Sequence, residues 1–454
     1  MLYVLRSALW LSVVLLSLVR DLLLSAYGSL LASSWLRFAL CAFLVYGCSQ
    51  PVNKVLEGTG LSFACAVGDV TDDRAIVWLR AERESSVSVH YGREPGLTKY
   101  RSSRKRQATG EIDFTAQILI GGLQPKTTYY YRATVAGRTP GPICRFVTAP
   151  RMNDSADVLF AFGGDTKEGH QPFRIMDAIR AKDPDFFLYL GDTIYADAEG
   201  AAYQLPQFWA KYRRNRNDLP TQRLFSETSL YVTWDDHEVS GNYHPDNPLA
   251  SIGRRAFFDY WPIRRDPQHP NRLYRSFRWG KAVELFILDT RQYRDISQGT
   301  ILGSEQKQWL LNGLSSSPAL FKFVATSVPI SSRRNADKWG GFPVDRKEVL
   351  RTIRREQISG VIFLAADVHY AAVAWIPGSR RVLREIIVGP LAAPTNRRSR
   401  GTAKRFEFFS KDYLNYGLIK VHAQANPPYA EIEILDEDNN LIHRTRMEPP
   451  SWDR

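Results

Sequence analysis

The sequence predicts an N-terminal all-β sandwich followed by a layered α/β domain, and three observations support this fold class. Residues 51–150 consist of short runs rich in β-branched and aromatic residues, separated by turn-forming residues. From residue 155 onwards, apolar strands alternate with stretches of helical spacing, which favours layered α/β architecture. Several of these strands end in acidic residues, at the sheet edge where open α/β folds place their sites.

The overall composition is that of an ordinary globular protein. Of 454 residues, 44% are apolar and 24% are charged. The formal net charge of +13 favours anionic partners, namely phosphate esters, acidic lipid surfaces or nucleic acid, and it does not choose among them. No specific nucleic-acid or protein partner is indicated.

Residues 1–47 are predicted to be a signal peptide or a membrane anchor. The apolar run FALCAFLVYG (38–47) is too short to span a bilayer as a helix, but it suits the core of a signal peptide. Cys48 follows it, and a small residue before a cysteine resembles the lipid-attachment site of bacterial lipoproteins. Both alternatives predict export, to the periplasm, the cell surface or a membrane-anchored position.

The segment 51–150 is predicted to be the β-sandwich. Its stretch GLQPKTTYYYRATV (122–135) resembles a strand pair of fibronectin type III domains, and Trp78 is the expected core tryptophan. Cys65 and Cys144 fall in two of its β-like runs. In an exported protein they could form a disulfide, and the alternative is two buried thiols.

The segment 151–454 is predicted to be the α/β domain. Helical spacing occurs at 173–185, 304–317 and 344–357, between apolar strands. The C-terminal stretch alternates as strands do, with a turn at 436–440.

Four polar clusters follow one another along this second domain, most of them directly after an apolar strand. A single aspartate there is usually a cap or turn residue, whereas the ordered set of four is far more specific. Because unpaired buried carboxylates are costly, such acids normally meet a cation or a hydrogen-bond donor. Together the clusters provide a ligand set for two hard or borderline metal ions. Their members are Asp165; Asp192 and Tyr195; Asp235, Asp236, His237, Glu238 and Asn242; and Asp367 and His369.

The order of these clusters resembles that of calcineurin-like metallophosphoesterases, and more closely the alkaline phosphatase D family. The similar stretches include GDTIYAD (191–197), TWDDHEVSGNY (233–243), KWGGFPVDR (338–346) and ADVHYA (366–371). The resemblance extends from about residue 58 to about residue 445, nearly the whole chain after the predicted leader. It implies an exported phosphoric ester hydrolase with two metal ions.

The resemblance also implies roles for individual residues. Asp192 would bridge two ions; Asp165, Tyr195 and His369 would complete a site for Fe(III); Asn242 and Asp367 would hold Ca²⁺. Asp236 would be an additional ligand and, with His237, a member of the catalytic group. A hydroxide held by the metals would attack phosphorus while His237 contacts the phosphate or protonates the leaving group. Arg291 is expected to brace the site through a carboxylate, with phosphate binding as the alternative.

Three departures from the family pattern concern the metals. Well-known members have a cysteine at the end of the first strand, whereas this chain has Asp165 there, and purple acid phosphatases likewise have an aspartate. Lys167 replaces a second histidine found in many metallophosphoesterases, and Ala366 replaces a frequent glycine. These departures leave the identity of the metals open. The resemblance implies that the substrate is a phosphate mono- or diester. The alternatives are a phosphodiesterase directed at phospholipids or nucleic acid and a non-catalytic surface protein that binds through its β-domain.

A basic segment at 397–405 is either a solvated loop or a gate for anionic substrates.

Overall fold

The computed structural model describes residues 56–332 and 335–452. The predicted signal peptide or anchor at 1–47 and the lipid-attachment residue Cys48 lie outside the described residues, so those predictions stay untested. Within the two described ranges, no helix is both long and apolar enough to cross a membrane.

The N-terminal segment folds into short strands, as its composition predicts. In the strand Ser85–Gly92, for example, every second side chain from Val87 onwards is buried, the pattern of a sheet with one covered face. The strands are β1 (Ala66–Gly68), β2 (Arg74–Arg80), β3 (Ser85–Gly92), β4 (Arg101–Ser102), β5 (Arg106–Ala108), β6 (Thr115–Gly121), β7 (Thr128–Val135) and β8 (Cys144–Val147).

The remaining segment alternates strands and helices. Three of its helices, Arg174–Ala181, Gly303–Ser316 and Pro343–Arg355, overlap the three stretches of helical spacing that the sequence indicates. The elements are β9 (Val158–Gly163), α1 (Arg174–Ala181), β10 (Phe186–Leu190), α2 (Leu205–Arg216), α3 (Leu219–Glu227), β11 (Ser229–Thr233), α4 (Ala250–Tyr260), β12 (Arg275–Trp279), β13 (Val283–Ile287), α5 (Gly303–Ser316), β14 (Phe321–Ala325), α6 (Pro343–Arg355), β15 (Val361–Ala365), β16 (Ala371–Trp375), β17 (Arg384–Ile387), β18 (Phe406–Ser410), β19 (Asn415–His422), β20 (Tyr429–Asp436) and β21 (Leu441–Met447).

Two large sheets form the centre of the molecule. One has nine strands in the order β21-β20-β19-β9-β10-β11-β1-β2-β6, and the other has seven in the order β12-β13-β14-β15-β17-β16-β18. Strands β9, β10 and β11 are parallel neighbours, and so are β13, β14 and β15. One hydrophobic cluster contains side chains of both sheets, among them Phe160, Leu188, Phe323 and Ile362, so the sheets pack face to face. The predicted layered fold class is confirmed.

Helices cover the outer faces of both sheets. Side chains of α1, α2, α3 and α4 pack with the nine-stranded sheet in one cluster, and those of α5 and α6 pack with the seven-stranded sheet in another. The order of layers is therefore helix, sheet, sheet, helix, which buries both faces of the central parallel strands.

The N-terminal strands are divided between two sheets. Strands β3, β4, β5, β7 and β8 form a separate antiparallel sheet, whereas β1, β2 and β6 extend the nine-stranded sheet. The junction is the parallel pairing of β1 with β11, where Gly68 lies opposite Leu230. A side chain at Gly68 would meet the Leu230 carbonyl oxygen at 2.7 Å, so this close approach requires glycine. Trp78 is fully buried, but its indole donates to the Asp259 carbonyl in α4, so it packs against the helical layer.

The two cysteines of this segment are buried free thiols. A hydrogen bond with Cys65, together with burial, raises the pKa of the Cys144 thiol. The two thiols therefore lie in contact, between the start of β1 and the start of β8.

Candidate metal centre

The four polar clusters converge at one end of the two central sheets. Asp165 follows β9, Asp192 follows β10 and Asp235 follows β11, and because these strands are parallel neighbours their ends meet at one edge. Asp367 and His369 follow β15 of the facing sheet. His369 Nε2 lies 3.3 Å from Asp165 Oδ1, so the two sheets contribute to one site.

Three overlapping groups of side chains could each hold a metal ion, with ligand atoms within 4.8 Å of one another. These are Asp165, Asp192 and His369; Asp192, Asp236 and His237; and Asp235, Asp236 and Asp367. Asp192 and Asp236 each belong to two groups, which is the arrangement that adjacent ions sharing a ligand require.

The remaining predicted ligands border these groups. The Tyr195 hydroxyl lies 3.3 Å from His369 Nε2, beside the first group. The backbone N–H of Asn242 donates to an Asp236 carboxylate oxygen, so the loop that carries Asn242 lies against the second and third groups. The structure thus brings together all eight predicted site residues, and their individual roles stay predictions.

Two carboxylates of the centre, those of Asp165 and Asp192, are buried and poorly compensated. Within the described part of the chain, neither carboxylate oxygen of Asp165 has a hydrogen bond, and Asp165 is 1% exposed. Burial raises the pKa of Asp192 well above its usual range, and the charges of Asp236, Asp235 and Asp165 raise it further. Bound cations would offset both the loss of hydration of these carboxylates and the repulsion between them. The residues present therefore fit a dinuclear metal site.

The backbone at the ligand positions adopts an uncommon conformation. Asp165, Asp192, Asn242, Asp367 and His369 have φ angles of +69°, +51°, +56°, +69° and +56°. Non-glycine residues rarely occupy this left-handed region, although Asp, Asn and His tolerate it best. Strained residues of this kind concentrate at functional sites.

Glu238 ties two of the site loops together. Its carboxylate accepts hydrogen bonds from the backbone N–H groups of Asp192 (3.1 Å), Thr193 (2.6 Å) and Asp235 (2.8 Å). Glu238 is completely buried, and burial raises its pKa to about 7. It therefore holds the loops after β10 and β11 in register, and it belongs to none of the three groups.

His237 forms a pair with a residue that the sequence analysis missed. His237 Nδ1 lies 2.7 Å from Asp197 Oδ1, and the other oxygen of Asp197 accepts from the Gly241 N–H at 2.7 Å. The His237 ring also stacks on Tyr195, with ring centres 4.1 Å apart. Burial alone would lower the pKa of His237, but the hydrogen bond to Asp197 and the charge of Asp236 raise it overall. Asp197 lies within the GDTIYAD stretch, but the sequence alone does not indicate its contact with His237.

Arg291 braces the site, as predicted. Its side chain is fully buried, and it donates to Asp235 (2.5 Å) and to Asp337 (2.7 Å). Asp235 also accepts from the Ser327 hydroxyl at 2.7 Å. A guanidinium enclosed in this way has no free face for a phosphate, so the alternative of a phosphate clamp is not supported.

We expect His237 and Asp197 to affect turnover without affecting metal content. His237→Ala should lower kcat by roughly 10²–10⁴-fold, the range for a general acid or base. Asp197→Asn should lower kcat less, by roughly 10- to 100-fold, because it loosens the orientation of the imidazole. Steady-state kinetics and elemental analysis of the same preparations test both expectations. Loss of metal from the His237 variant would instead make His237 a ligand of the Asp192–Asp236 group.

Comparisons with known proteins agree with this geometry. The profile of the PhoD-like phosphatase family matches residues 159–424, and that of the PhoD-like phosphatase N-terminal domain matches residues 47–150. Alkaline phosphatase D of Bacillus subtilis (strain 168) is 25% identical over 370 residues, which cover 67% of this chain and 63% of that protein. Purple acid phosphatase 21 of Arabidopsis thaliana is 29% identical over 197 residues, 42% of this chain and 39% of that protein. The chain thus spans less than two thirds of the length of these relatives.

Two solved structures share the fold. The structure of PhoD has a TM-score of 0.75 at 20% identity, covering 86% of this chain and 93% of that one. The purple acid phosphatase PPD1 from yellow lupin has a TM-score of 0.63 at 13% identity, covering 85% of this chain and 74% of that one. At these identities the likeness concerns the fold alone.

Proposed function

Because this chain belongs to the PhoD-like phosphatase family, we propose that it is a metal-dependent phosphoesterase acting on phosphate mono- or diesters. One observation supports the proposal above the others: three metal-binding groups overlap at Asp192 and Asp236 where two sheets meet. A protein that only binds partners would have no need to retain so many buried carboxylates at one sheet edge.

The two halves of the centre differ in their ligands, and we assign the ions accordingly. The first half, with Asp165, Asp192, Tyr195 and His369, combines a phenolate, an imidazole and carboxylates, a set that suits Fe(III). The second half, with Asp192, Asn242, Asp367 and Asp236, offers only oxygen ligands, which suit Ca²⁺. When bound, such ions lower the pKa of water and neutralise charge on a phosphoryl group.

The surrounding residues orient the substrate and move protons. We assign to His237 a hydrogen bond to the phosphate or protonation of the leaving oxygen, with Asp197 fixing the orientation of its ring. Lys167 lies with its ammonium 5.7 Å from the centre of the Tyr195 ring, on the side of the first half. A positive charge at that position favours the approach of an anionic ester.

The deciding experiment combines metal analysis with an ester panel. Purified protein should contain about two ions per chain, as two-metal hydrolases do. It should hydrolyse 4-nitrophenyl phosphate, bis(4-nitrophenyl) phosphate or both, and a chelator should remove that activity. A metal-loaded protein that hydrolyses neither ester nor any phospholipid or nucleic-acid phosphodiester would overturn the proposal.

We also propose that the protein is exported and carries lipid at Cys48, on the basis of the apolar run that precedes this residue. Mass spectrometry of the native N-terminus should find a chain that begins at a lipid-modified Cys48. An intact Met1 in the membrane fraction would indicate the anchor instead. A full-length chain in the cytoplasm would contradict both alternatives.

The basic segment at 397–405 begins beside the metal centre. His369 Nδ1 lies 2.6 Å from the Pro394 carbonyl oxygen, and the Asn396 N–H donates to the His369 carbonyl at 2.8 Å. Arg397, Arg398 and Arg400 are exposed. The segment is thus anchored to a predicted ligand, which favours the gate over an unattached loop.

Replacing these three arginines by glutamine should lower kcat/KM at low salt and leave kcat nearly unchanged. The reason is that exposed charges accelerate association and are screened beyond a Debye length of about 8 Å at physiological ionic strength. Measurements on one phosphoester at low and high salt test this. The matched control is glutamine at Arg104, Lys105 and Arg106, an equal loss of charge at the edge of the five-stranded sheet. Equal effects in both variants would exclude a gate.

A further inference from the structure

Lys338 places a positive charge inside the second half of the metal centre. Its side chain is 10% exposed, and its ammonium donates to Asp337 at 2.8 Å and to Asp367 in a shorter contact. A buried ammonium requires such carboxylate partners, because its loss of hydration is otherwise uncompensated. One of the two partners, Asp367, is also a predicted metal ligand.

Lys338 is not the only fixed cation in this half. Arg291 Nη2 lies 3.3 Å from Asp236 and 3.9 Å from Asp367. Arg294 adds a third positive charge through its ion pair with Asp337 at 2.7 Å. The side chains of the second half therefore balance most of their own charge without any metal ion.

The first half has the opposite balance. Among the described residues, no lysine or arginine forms an ion pair with Asp165 or Asp192, and His369 is the sole ion-pair partner of Asp165. An ion entering the first half would meet uncompensated carboxylates. An ion entering the second half would have to share Asp367 with the Lys338 ammonium or displace it.

We propose that Lys338 is a resident cation of the second half and makes the two metal sites unequal in affinity. The inference rests on the proposed function, since it presupposes a dinuclear centre. The first half retains its ion through purification, while the second half exchanges its ion with the medium. Occupancy of the second site then follows the concentration of divalent cations around the protein.

The test uses the full chain, from which metal is first removed with a chelator. Calorimetric titration with Mn²⁺ or Ca²⁺ then measures the affinity of each site, and elemental analysis after dialysis measures the metal that is retained. Wild type should bind a second ion at least about 10-fold more weakly than the first. Lys338→Met should tighten the second site by roughly 10- to 100-fold and leave the first within about twofold, since a neighbouring charge changes proton binding to a carboxylate by one to three powers of ten. Lys338→Arg, which keeps the charge, should behave as wild type.

Lys322→Met is the matched control. Lys322 is likewise buried, but its ammonium donates to the carbonyls of Ala319 and Ser359 and contacts no predicted ligand. Its loss should leave both metal affinities unchanged. Should Lys338→Met fail to fold, Lys338→Gln removes the same charge and keeps a hydrogen-bond donor for Asp367.

The outcomes separate this inference from the proposed function. An unchanged or weakened second site in the neutral Lys338 variants would overturn the role of Lys338, while ester hydrolysis by the loaded wild type would still support the function. Two equally tight ions in wild type would also overturn it. A chain that binds no ion in either half would overturn both.

Discussion

Asp192→Ala is expected to abolish phosphoester hydrolysis and metal retention together. Asp192 contributes to two of the three groups that could hold a metal ion, so its removal should take a ligand from both proposed halves of the centre. A residue that served only to bind substrate would lower kcat/KM and leave the metals in place. Elemental analysis of the purified variant, alongside turnover of 4-nitrophenyl phosphate and its diester, distinguishes the two cases.

Asp185→Asn provides the control for the loss of a buried acid near the same strand. Asp185 precedes β10, at the end remote from Asp192, and accepts a hydrogen bond from the Leu159 N–H at 2.8 Å. Burial raises its pKa to about 6. Its amide variant should keep metal and activity. An Asp192 variant that retained both ions would show that the centre does not depend on a shared ligand.

Arg291→Met is expected to lower the free energy of unfolding by about 3–5 kcal/mol, the cost of removing one partner from a buried ion pair. Asp235 would then remain buried, with only the Ser327 hydroxyl bonded to its Oδ1. Urea unfolding of the metal-free proteins measures the difference directly. Metal-free conditions matter because bound ions would themselves compensate Asp235.

Arg444→Gln is the corresponding surface control. Arg444 pairs with Glu433 at 2.5 Å, but its side chain is 54% exposed. Its loss should cost less than about 1 kcal/mol, because water screens and replaces the interaction. A comparable cost in both variants would mean that the Arg291 network does not stabilise the fold more than a surface pair does.

The ligand-bearing strand ends could be predicted because their signal is local. An apolar run followed at once by Asp165, Asp192 or Asp367 is visible within ten residues, and parallel strands bring such ends together. Helices α1, α5 and α6 were recognisable from their spacing for the same reason. Helices α2, α3 and α4 were not singled out, and they fill the long connections before and after β11.

The supporting residues could not be predicted because their roles depend on tertiary contacts. Asp337 and Lys338 lie in a loop that meets Arg291 and Asp367 only after the seven-stranded sheet has formed. Asp197 looks like an ordinary loop acid until His237 is placed beside it. Local pattern likewise identified β1, β2 and β6 as strands without revealing that β1 pairs with β11, more than 100 residues further along.

The pairing of β1 with β11 also constrains the order in which the protein can be completed during synthesis. Strand β1 leaves the ribosome early, yet its parallel neighbour does not exist until Ser229–Thr233 has been made. Strand β9 must wait still longer for one of its own neighbours, β19, which lies near the C-terminus. Both unfinished edges present free backbone groups in the meantime, and such edges are prone to wrong pairing. The nascent chain therefore cannot fold one segment after another. The nine-stranded sheet can be completed only when nearly the whole polypeptide has been synthesised.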